Sequence, residues 1–473
     1  MIVLDENTRV YCVGIKGTGM AALAEYCRHA GAEVSGSDVE EVFYTDAILE
    51  ELEIPVSAPF SEQNLPPKVD YLFYSAAYDP ATHPELVAAR KKGIPTYSYP
   101  EALGAISATR PTAAIAGVHG KTTTTALAGS ISQAIGLPTG VIVGSAVSDF
   151  GNRSCLFLGD QALIAETCEY RRHFLHVSPR WLIVTSIEAD HLDYYADYQD
   201  VLSAFLEYSR KISSGGSLLY CADDPGALEL VSRVKEERRD LNIISYGFSS
   251  GSDFLLSEPW VENERLCFTI KGIDDTLKLR IPGRHTALDA AAAVLLCRLM
   301  ANELGLKVTD KAIAAGVESF TGSKRRSEIL GEVDGILFMD DYAHHPTALK
   351  TTLEGLRSFY PRRRLIVDFM SHTYSRTEAL LDGFASSFEE ADLLFLHKIY
   401  ASAREERGSI DGRTLYERTA RYHKRVEYIH EPSDSIDKID ALLKPGDLFI
   451  TMGAGNNWAI GHEIYSRRKA KEQ

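Results

Sequence analysis

The stretch Gly117-Val118-His119-Gly120-Lys121-Thr122-Thr123 decides the fold of the middle of the chain. It follows an apolar run at residues 113–116 that predicts a buried strand. It leads into residues 124–135, whose Ala, Leu and Ile spacing predicts a helix. A strand, a glycine-rich turn and a helix form the context of a phosphate-binding loop. Free N–H groups at the helix start can bind an anion, Lys121 can reach the β- and γ-phosphates of a nucleotide, and the Thr122 hydroxyl can hold Mg²⁺.

This loop has the short form Gly-x-x-Gly-Lys-Thr, because Ile115 stands where the longer phosphate-loop pattern has another glycine. The alternative is a turn between strand and helix that binds no ligand. Gly-Lys-Thr-Thr in this position nevertheless favours nucleotide binding. The residues of the loop expected to bind ATP are Gly117, Val118, His119, Gly120, Lys121, Thr122 and Thr123.

Length and composition limit the possible classes of protein. The chain has 473 residues, which predicts two to four domains, and its 45% hydrophobic and 25% charged residues are typical of a globular protein. The net charge of −16 argues against a general nucleic-acid surface. No apolar run approaches the length of a membrane span, and the first residues lack a signal-like pattern. Seven scattered cysteines without Cys-x-x-Cys pairs fit reduced thiols in a cytoplasm.

The first hundred residues predict a second phosphate-binding turn. A strand at 8–13 is followed by Gly14-Ile15-Lys16-Gly17-Thr18-Gly19, a helix at 20–30, and a strand from 33 that runs to Asp38. This βαβ opening is a diphosphate-binding arrangement. Its glycine spacing differs from that of the dinucleotide fingerprint, so NAD, another nucleoside diphosphate and a purely structural turn remain open. Residues 107–111 end in proline and predict a linker.

In the middle of the chain, polar residues follow two further strands. Glu166 ends an apolar strand at 162–165, and His191 follows a strand at 181–185. Ligands bind beyond the carboxyl ends of parallel strands. We therefore expect Thr122 and Glu166 to hold one Mg²⁺ and His191 to hold a second cation. As alternatives, Glu166 could be a helix N-cap or form a surface ion pair, and His191 could be satisfied in a turn.

Other features of the middle region allow structural interpretations. Asp190 and Asp193 could cap a helix at 192–198. Gly144-Ser145 predicts a turn after a strand at 141–143, and residues 266–270 and 276–281 predict two edge strands. His285, ahead of a long apolar helix, could line a nucleotide site or satisfy a turn.

The last 150 residues predict a third α/β unit after a linker at 320–323. Two polar stretches, residues 340–346 and 371–377, each leave the end of a strand. Arginine there could clamp a carboxylate through two hydrogen bonds, and His or Asp could orient an ammonium group or take its proton. A surface ion network is the alternative.

Taken together and in order, these motifs resemble the Mur ligase family over essentially the whole chain. The resemblance implies ATP-dependent ligation of L-alanine to the lactyl carboxylate of UDP-N-acetylmuramate, through an acyl phosphate, in peptidoglycan precursor synthesis. The stretches that carry it are 14–20 with 36–38, 117–123, 166–170, 190–193, 340–346, 374–377, 400–401 with Ala403-Arg404-Glu405, and 452–455.

The resemblance implies three α/β domains. With the predicted linkers, these are a Rossmann-like UDP-sugar domain at 1–108, a P-loop ATPase-like domain at 109–322, and a Rossmann-like amino-acid domain at 323–473. It implies ATP and Mg²⁺ as cofactors, two small-molecule substrates, and a monomer or homodimer. The implied UDP-sugar site is Gly14, Gly17, Thr18, Gly19, Asp38 and Ser75. The implied amino-acid site is Arg326, Tyr342, His344, His345, His372 and Arg376. The implied catalytic residues are Lys121, His191, His344 and Arg376, and His285 and Asp289 complete the ATP site.

Three stretches depart from the family pattern, which has Asn at Ser186, His-Asn-x-x-Asn at 285–289 and Gln-Pro-His at 370–372. An ionised Asp289 could accept a hydrogen bond from the adenine amino group but could not donate one to N7. Two alternatives remain: a ligase that attaches a murein tripeptide in recycling, and a UDP-sugar-binding paralogue without catalysis.

Overall fold

The structure is a computed structural model, and it describes residues 2–263, 265–401 and 408–472. Helices cover the faces of three largely parallel sheets, and a small antiparallel sheet adds to the middle unit. The three-domain α/β prediction is confirmed. Its boundary residues stay a prediction. Within the described residues, no helix is long and apolar enough to cross a bilayer.

The N-terminal unit is a five-stranded parallel sheet with the order β3-β2-β1-β4-β5. Because the chain adds strands on one side of β1 and then on the other, a crevice opens beyond the carboxyl end of β1, where the glycine turn lies. The elements are β1 (Arg9–Val13), α1 (Thr18–His29), β2 (Glu33–Ser37), α2 (Thr45–Glu51), β3 (Val56–Ser57), β4 (Tyr71–Tyr74), α3 (Pro84–Lys91), β5 (Thr96–Ser98) and α4 (Tyr99–Ser107).

The central unit begins with the predicted strand, loop and helix, and its helices cover the sheet that carries the loop. Its elements are β6 (Thr112–Ala116), α5 (Lys121–Ile135), β7 (Thr139–Val147), β8 (Arg153–Phe157), β9 (Ala162–Glu166), β10 (Trp181–Val184), α6 (Tyr198–Arg210), β11 (Ser217–Cys221), α7 (Pro225–Glu237), β12 (Asn242–Gly247), β13 (Phe254–Leu255), β14 (Trp260–Glu262), β15 (Arg265–Phe268), β16 (Leu277–Leu279), α8 (Arg284–Glu303) and α9 (Asp310–Ser319).

The main sheet of this unit has the order β13-β12-β11-β10-β6-β9-β7-β8, and β8 runs antiparallel to β7. Strand β6 therefore lies between β10 and β9, whose carboxyl ends carry the predicted cation-site residues. Helix α1 packs on β7 and β8, and Glu25 pairs with Arg153 at 2.7 Å, which fixes the N-terminal unit against this sheet.

Two local predictions for this unit are wrong. Gly144-Ser145 is not a turn, because β7 continues to Val147 through an irregularity in its pairing with β8. There Gly144 donates its N–H to the Glu166 carboxylate at 2.7 Å, which replaces a ladder partner. Asp190 and Asp193 do not cap a helix at 192–198, because α6 begins at Tyr198 and Asp197 caps it. The two predicted edge strands are β15 and β16, which pair with each other in a separate antiparallel sheet of the order β14-β15-β16.

The C-terminal unit has a six-stranded sheet with the order β17-β18-β22-β19-β20-β21, in which β17 is antiparallel to its neighbour. Strands β18 and β19 flank β22, so the two polar stretches that follow them leave the same edge, as predicted. The elements are β17 (Glu328–Val333), β18 (Ile336–Asp341), α10 (Pro346–Phe359), β19 (Arg364–Phe369), α11 (Tyr374–Ala379), α12 (Leu381–Ala385), β20 (Leu393–Leu396), α13 (Gly412–Thr419), β21 (Val426–Tyr428), α14 (Ile436–Leu442), β22 (Asp447–Met452) and α15 (Trp458–Glu472).

Candidate active site

The predicted phosphate loop has a backbone that requires glycine. Gly117 and Gly120 have φ angles of +136° and +80°. A Cβ on Gly117 would lie 2.0 Å from the Thr185 hydroxyl, and one on Gly120 would lie 2.3 Å from Asp289 Oδ1. Within the described part of the chain, no side chain caps the start of α5. The first N–H groups of this helix are therefore available to an anion.

Ser186, one of the departures from the family pattern, holds the loop in place. Its hydroxyl accepts a hydrogen bond from the His119 N–H at 2.9 Å, and its carbonyl accepts one from the Val118 N–H at 3.0 Å. A serine is therefore sufficient to fix the loop backbone at this position.

Lys121 is held inside the loop by Glu169. Its ammonium group lies 2.9 and 3.1 Å from the two Glu169 oxygens and also donates to the Gly117 and Val118 carbonyls. Burial lowers the pKa of Lys121, but Glu169 outweighs burial and the net pKa is raised. Lys121 therefore stays charged. Glu169 lies in the resemblance stretch 166–170 but was not among the predicted site residues, although its position three residues after Glu166 was a usable signal.

Thr122 and Glu166 come together as the sequence predicts. The Thr122 hydroxyl donates to Glu166 Oε1 at 2.9 Å, and Oε2 accepts the Gly144 N–H. Two oxygen donors at the mouth of a phosphate loop fit Mg²⁺. His191, the other predicted cation ligand, has its Nε2 3.5 Å from Glu169 Oε1. His191 therefore lies on the Lys121 side of the loop.

Asp289 is enclosed beneath the loop. It is 7% exposed, and its Oδ1 accepts a hydrogen bond from the Thr124 hydroxyl at 3.4 Å. Burial raises the pKa of Asp289 to about 8, so this carboxyl is largely protonated at neutral pH. A protonated carboxyl can donate as well as accept. The limit to accepting holds only for an ionised Asp289, and the raised pKa makes that form the minor one at neutral pH. Burial also lowers the pKa of the nearby His285 to about 4 and keeps it neutral.

We expect Asp289→Asn to stabilise the fold increasingly as pH rises. A carboxyl whose pKa is raised in the folded state favours folding below its unfolded pKa of 3.8 and loses that contribution as pH rises towards 8. An amide does not titrate. Between pH 4 and pH 8, the free energy of unfolding of the variant should therefore rise by about 3 kcal/mol relative to that of the wild type. This value takes about 1.4 kcal/mol per pKa unit and is reduced because the site can relax around the charge. Urea unfolding across this pH range measures the difference.

The matched control for this prediction is Glu236→Gln, which removes an exposed acid on α7. Its unfolding free energy should follow the wild type at every pH. Parallel curves for the wild type and Asp289→Asn would contradict the prediction.

A residue of the C-terminal unit reaches the central unit at this site. Arg376 Nη2 lies 3.1 Å from Asp190 Oδ1, and the two side chains are 13% and 8% exposed. Burial raises the pKa of Asp190, but Arg376 and then His191 outweigh it and hold the pKa well below its usual range. The Asp190 carboxylate is thus ionised and paired with Arg376. The prediction of Asp190 as a helix cap missed this role.

His344 lies near this pair as a neutral imidazole. Burial, followed by the charge of Arg376, lowers the pKa of His344 well below its ordinary value. Its Nδ1 lies 2.9 Å from the Tyr342 carbonyl, so Nδ1 carries the proton that it donates there. The Nε2 lone pair remains available to accept a hydrogen bond.

The other predicted amino-acid residues divide into two groups. Arg326, Tyr342, His344 and His345 line one cavity of about 1040 Å³ together with the phosphate loop. His372 instead packs against Tyr400, with ring centroids 5.9 Å apart, and is not among the described residues that line this cavity. Of the last resemblance motifs, residues 403–405 lie outside the described residues.

The two acids predicted to handle an ammonium group have structural partners. Asp340 pairs with Arg325 at 2.8 Å and accepts a hydrogen bond from Thr451, while Asp341 accepts the backbone N–H groups of Ser327 and Ala343. Burial raises the pKa of both carboxyls. These acids therefore order the strand end that presents His344.

The predicted UDP-sugar residues gather at the carboxyl ends of β1, β2 and β4. Asp38 accepts the Lys16 N–H at 2.6 Å, and the Gly14 N–H donates to the Ser37 carbonyl at 2.8 Å. Helix α1 then starts at Thr18 without a side-chain cap in the described structure, which leaves N–H groups for a phosphate. Ser75 follows β4 at the opposite wall of this crevice. The six residues thus occupy one crevice of the N-terminal sheet.

Tyr99, which is not among the predicted site residues, connects this crevice with the central unit. Its ring packs against Gly19. Burial raises the pKa of the Tyr99 phenol, and the nearby Glu166 carboxylate raises it further. Tyr99 therefore lies between the glycine turn and the Thr122–Glu166 pair, so the two predicted sites adjoin.

Comparisons with known proteins cover nearly the whole chain. Residues 9–111 match the description "Mur ligase family, catalytic domain", residues 115–297 "Mur ligase middle domain", and residues 325–455 "Mur ligase, glutamate ligase domain". The UDP-N-acetylmuramate–L-alanine ligase of Treponema pallidum is 48% identical over 463 residues, which cover 97% of this chain and 96% of the relative. The enzyme of the same name from Desulfitobacterium hafniense is 39% identical and covers 96% and 99%.

Solved structures share the fold. UDP-N-acetylmuramate–alanine ligase from Thermotoga maritima superposes with a TM-score of 0.76 at 23% identity and covers 98% of this chain and 99% of its own. A murein peptide ligase from Psychrobacter arcticus superposes with a TM-score of 0.65 at 22% identity, over 97% of this chain and 98% of its own. Both similarities concern the fold alone.

Proposed function

The chain belongs to the Mur ligase family, and on that premise we propose that it joins L-alanine to the lactyl carboxylate of UDP-N-acetylmuramate. The reaction consumes ATP and yields ADP and phosphate, in peptidoglycan precursor synthesis. The observation that carries the proposal is one cavity lined by both the phosphate loop and residues 342–345 of the C-terminal unit, with the Arg376–Asp190 pair across the two units.

A carboxylate is a poor acyl donor, so the chemistry needs activation. The lactyl carboxylate attacks the γ-phosphorus of ATP, the bond to the β-phosphate oxygen breaks, and an acyl phosphate forms. The amino group of alanine then attacks the acyl carbon and phosphate leaves. Lys121, which stays charged beside Glu169, would neutralise charge on the transferring phosphoryl group.

Thr122 and Glu166 fit Mg²⁺ by their chemistry and separation, and bound Mg²⁺ would neutralise phosphate charge. His191 would lie near the same phosphates, because its Nε2 is close to Glu169, the partner of Lys121. His285 and Asp289 would contact the nucleotide as neutral groups, Asp289 by donating as well as accepting hydrogen bonds.

At the amino-acid end, the Arg376–Asp190 pair offers one positive and one negative group, which complement the two charges of an amino acid. Arg376 can bind the carboxylate of an incoming alanine with two hydrogen bonds. Asp190 can accept a hydrogen bond from its ammonium group. Because His344 is neutral with Nε2 available, it would accept a hydrogen bond from the alanine nitrogen and orient it towards the acyl carbon, while the burial that keeps it neutral makes it a weak base. Separation of the two units would admit substrates, and their closure would assemble the site.

The place of action follows from the substrates. ATP and nucleotide-linked sugars are made in the cytoplasm, and we place the enzyme there. The oligomeric state, monomer or homodimer, stays a prediction, as does the assignment of each site residue.

Phosphate release from ATP by the purified protein tests the function. We expect release that requires both UDP-N-acetylmuramate and L-alanine. Release with a tripeptide but not with alanine would instead indicate the recycling ligase. Binding of the UDP-sugar without release with any amine would indicate the non-catalytic paralogue.

A further inference from the structure

Three potential metal ligands meet where the phosphate loop faces the C-terminal unit. His119 Nε2 contacts Glu188 Oε1, and His345 Nδ1 lies 3.7 Å from the same oxygen. All three ligand atoms lie within 4.8 Å of one another. From this cluster we propose that His119, Glu188 and His345 bind one divalent transition-metal ion of the zinc class, at a site separate from the Thr122–Glu166 pair.

His345 supplies an independent sign of a ligand. Its side chain is 6% exposed, and neither ring nitrogen has a hydrogen-bond partner among the described residues. A buried polar group without a partner costs free energy unless a ligand or water satisfies it. The Nδ1 atom faces the Glu188 carboxylate, so an ion between them would satisfy it.

The donor set favours a zinc-class ion over Mg²⁺. Two imidazoles and one carboxylate are a known ligand set for zinc with an open fourth position, whereas Mg²⁺ prefers oxygen donors. With bonds of about 2.0 to 2.2 Å, tetrahedral ligand atoms lie roughly 3.4 Å apart. The 3.7 Å between His345 Nδ1 and Glu188 Oε1 therefore needs a small contraction, and the direct contact between His119 Nε2 and Glu188 Oε1 must open to admit the ion.

A neighbouring hydroxyl orients the Glu188 carboxylate for metal binding. The Thr347 hydroxyl donates to Glu188 Oε2 at 3.1 Å, which leaves Oε1 facing the two imidazoles. Such outer contacts fix the direction of a metal ligand. His119 belongs to the phosphate loop, Glu188 follows β10, and His345 precedes α10. The ion would therefore tie the C-terminal unit to the loop.

Metal binding by the full chain tests the site without any turnover. The protein is stripped of metal with a chelator and titrated with Zn²⁺ in excess Mg²⁺, against a chromophoric chelator. We expect one Zn²⁺ per chain, and we expect His345→Ala and Glu188→Gln each to weaken binding by about 100-fold. Exposed His462 on α15 gives the matched control, because His462→Ala should bind as the wild type does.

Equal affinity in the wild type and both site variants would overturn the proposal, and so would a failure of the wild type to bind. Co²⁺ provides a second measurement, since its spectrum should show nitrogen and oxygen ligands without a thiolate band. A thiolate band would place the ion at Cys168, which lines the same cavity, and would also overturn the proposal.

Discussion

Replacing Lys121 with Ala should lower alanine-dependent phosphate release about a thousandfold while UDP-sugar binding stays within about twofold of the wild type. Loss of one preorganised group that stabilises developing charge costs about 10² to 10³ in rate, and Lys121 carries a full charge. The predicted UDP-sugar residues lie at another sheet, so their contacts should be unaffected. Phosphate release at saturating substrates and calorimetric UDP-sugar binding measure the two quantities.

The variant also leaves Glu169 buried at 3% exposure without its cation. Breaking a buried pair from one side costs about 3 to 5 kcal/mol of stability. The double variant Lys121→Ala with Glu169→Gln removes that unpaired charge. It should recover stability and remain inactive, which separates catalysis from folding. Equal loss of turnover and UDP-sugar binding in the single variant would show that the domain assignment is wrong.

Local sequence patterns predicted the parts of the site that rest on single strands and turns. The phosphate loop follows from the run of residues 112–135, since the strand, the glycines and the helix are adjacent in the chain. The Thr122–Glu166 pair followed from one topological rule, because β6 and β9 are parallel neighbours whose carboxyl ends meet.

Contacts that depend on irregular backbone were not predicted. Glu169 reaches Lys121 from a segment that continues through Arg171 and Arg172, both with positive φ, and such a path has no periodic signal. A turn was predicted at Gly144-Ser145 because glycine is common in turns. Its N–H instead bonds to Glu166, a residue 22 positions later in the chain.

Contacts between units and protonation states were also beyond local patterns. Arg376 and Asp190 are 186 residues apart, and their pairing depends on how two units pack. The protonation of Asp289 depends on enclosure by α5 and the loop. Counting charges from the sequence treats every Asp as ionised, whereas burial keeps Asp289 largely protonated at neutral pH.

Arg376→Ala should lower kcat/KM for L-alanine about 100-fold, mainly through KM, with the KM for ATP nearly unchanged. Truncating one side of a buried, hydrogen-bonded charge pair costs about 2 to 5 kcal/mol. Initial rates with varied alanine at saturating ATP measure the effect. Arg376→Lys keeps the charge but loses the planar fork, so it should recover only part of the loss. An unchanged KM for alanine would remove Arg376 from the site.

The Asp190 pair allows a sharper distinction between binding and structure. If Arg376 acts only by neutralising Asp190, the double variant Arg376→Ala with Asp190→Asn removes the unpaired charge and should restore the KM for alanine. If Arg376 binds the alanine carboxylate, KM stays high in the double variant, because no guanidinium remains to bind that carboxylate. We expect the second result, since both side chains are more than four-fifths buried beside His344, where an unpaired zwitterion could not bind.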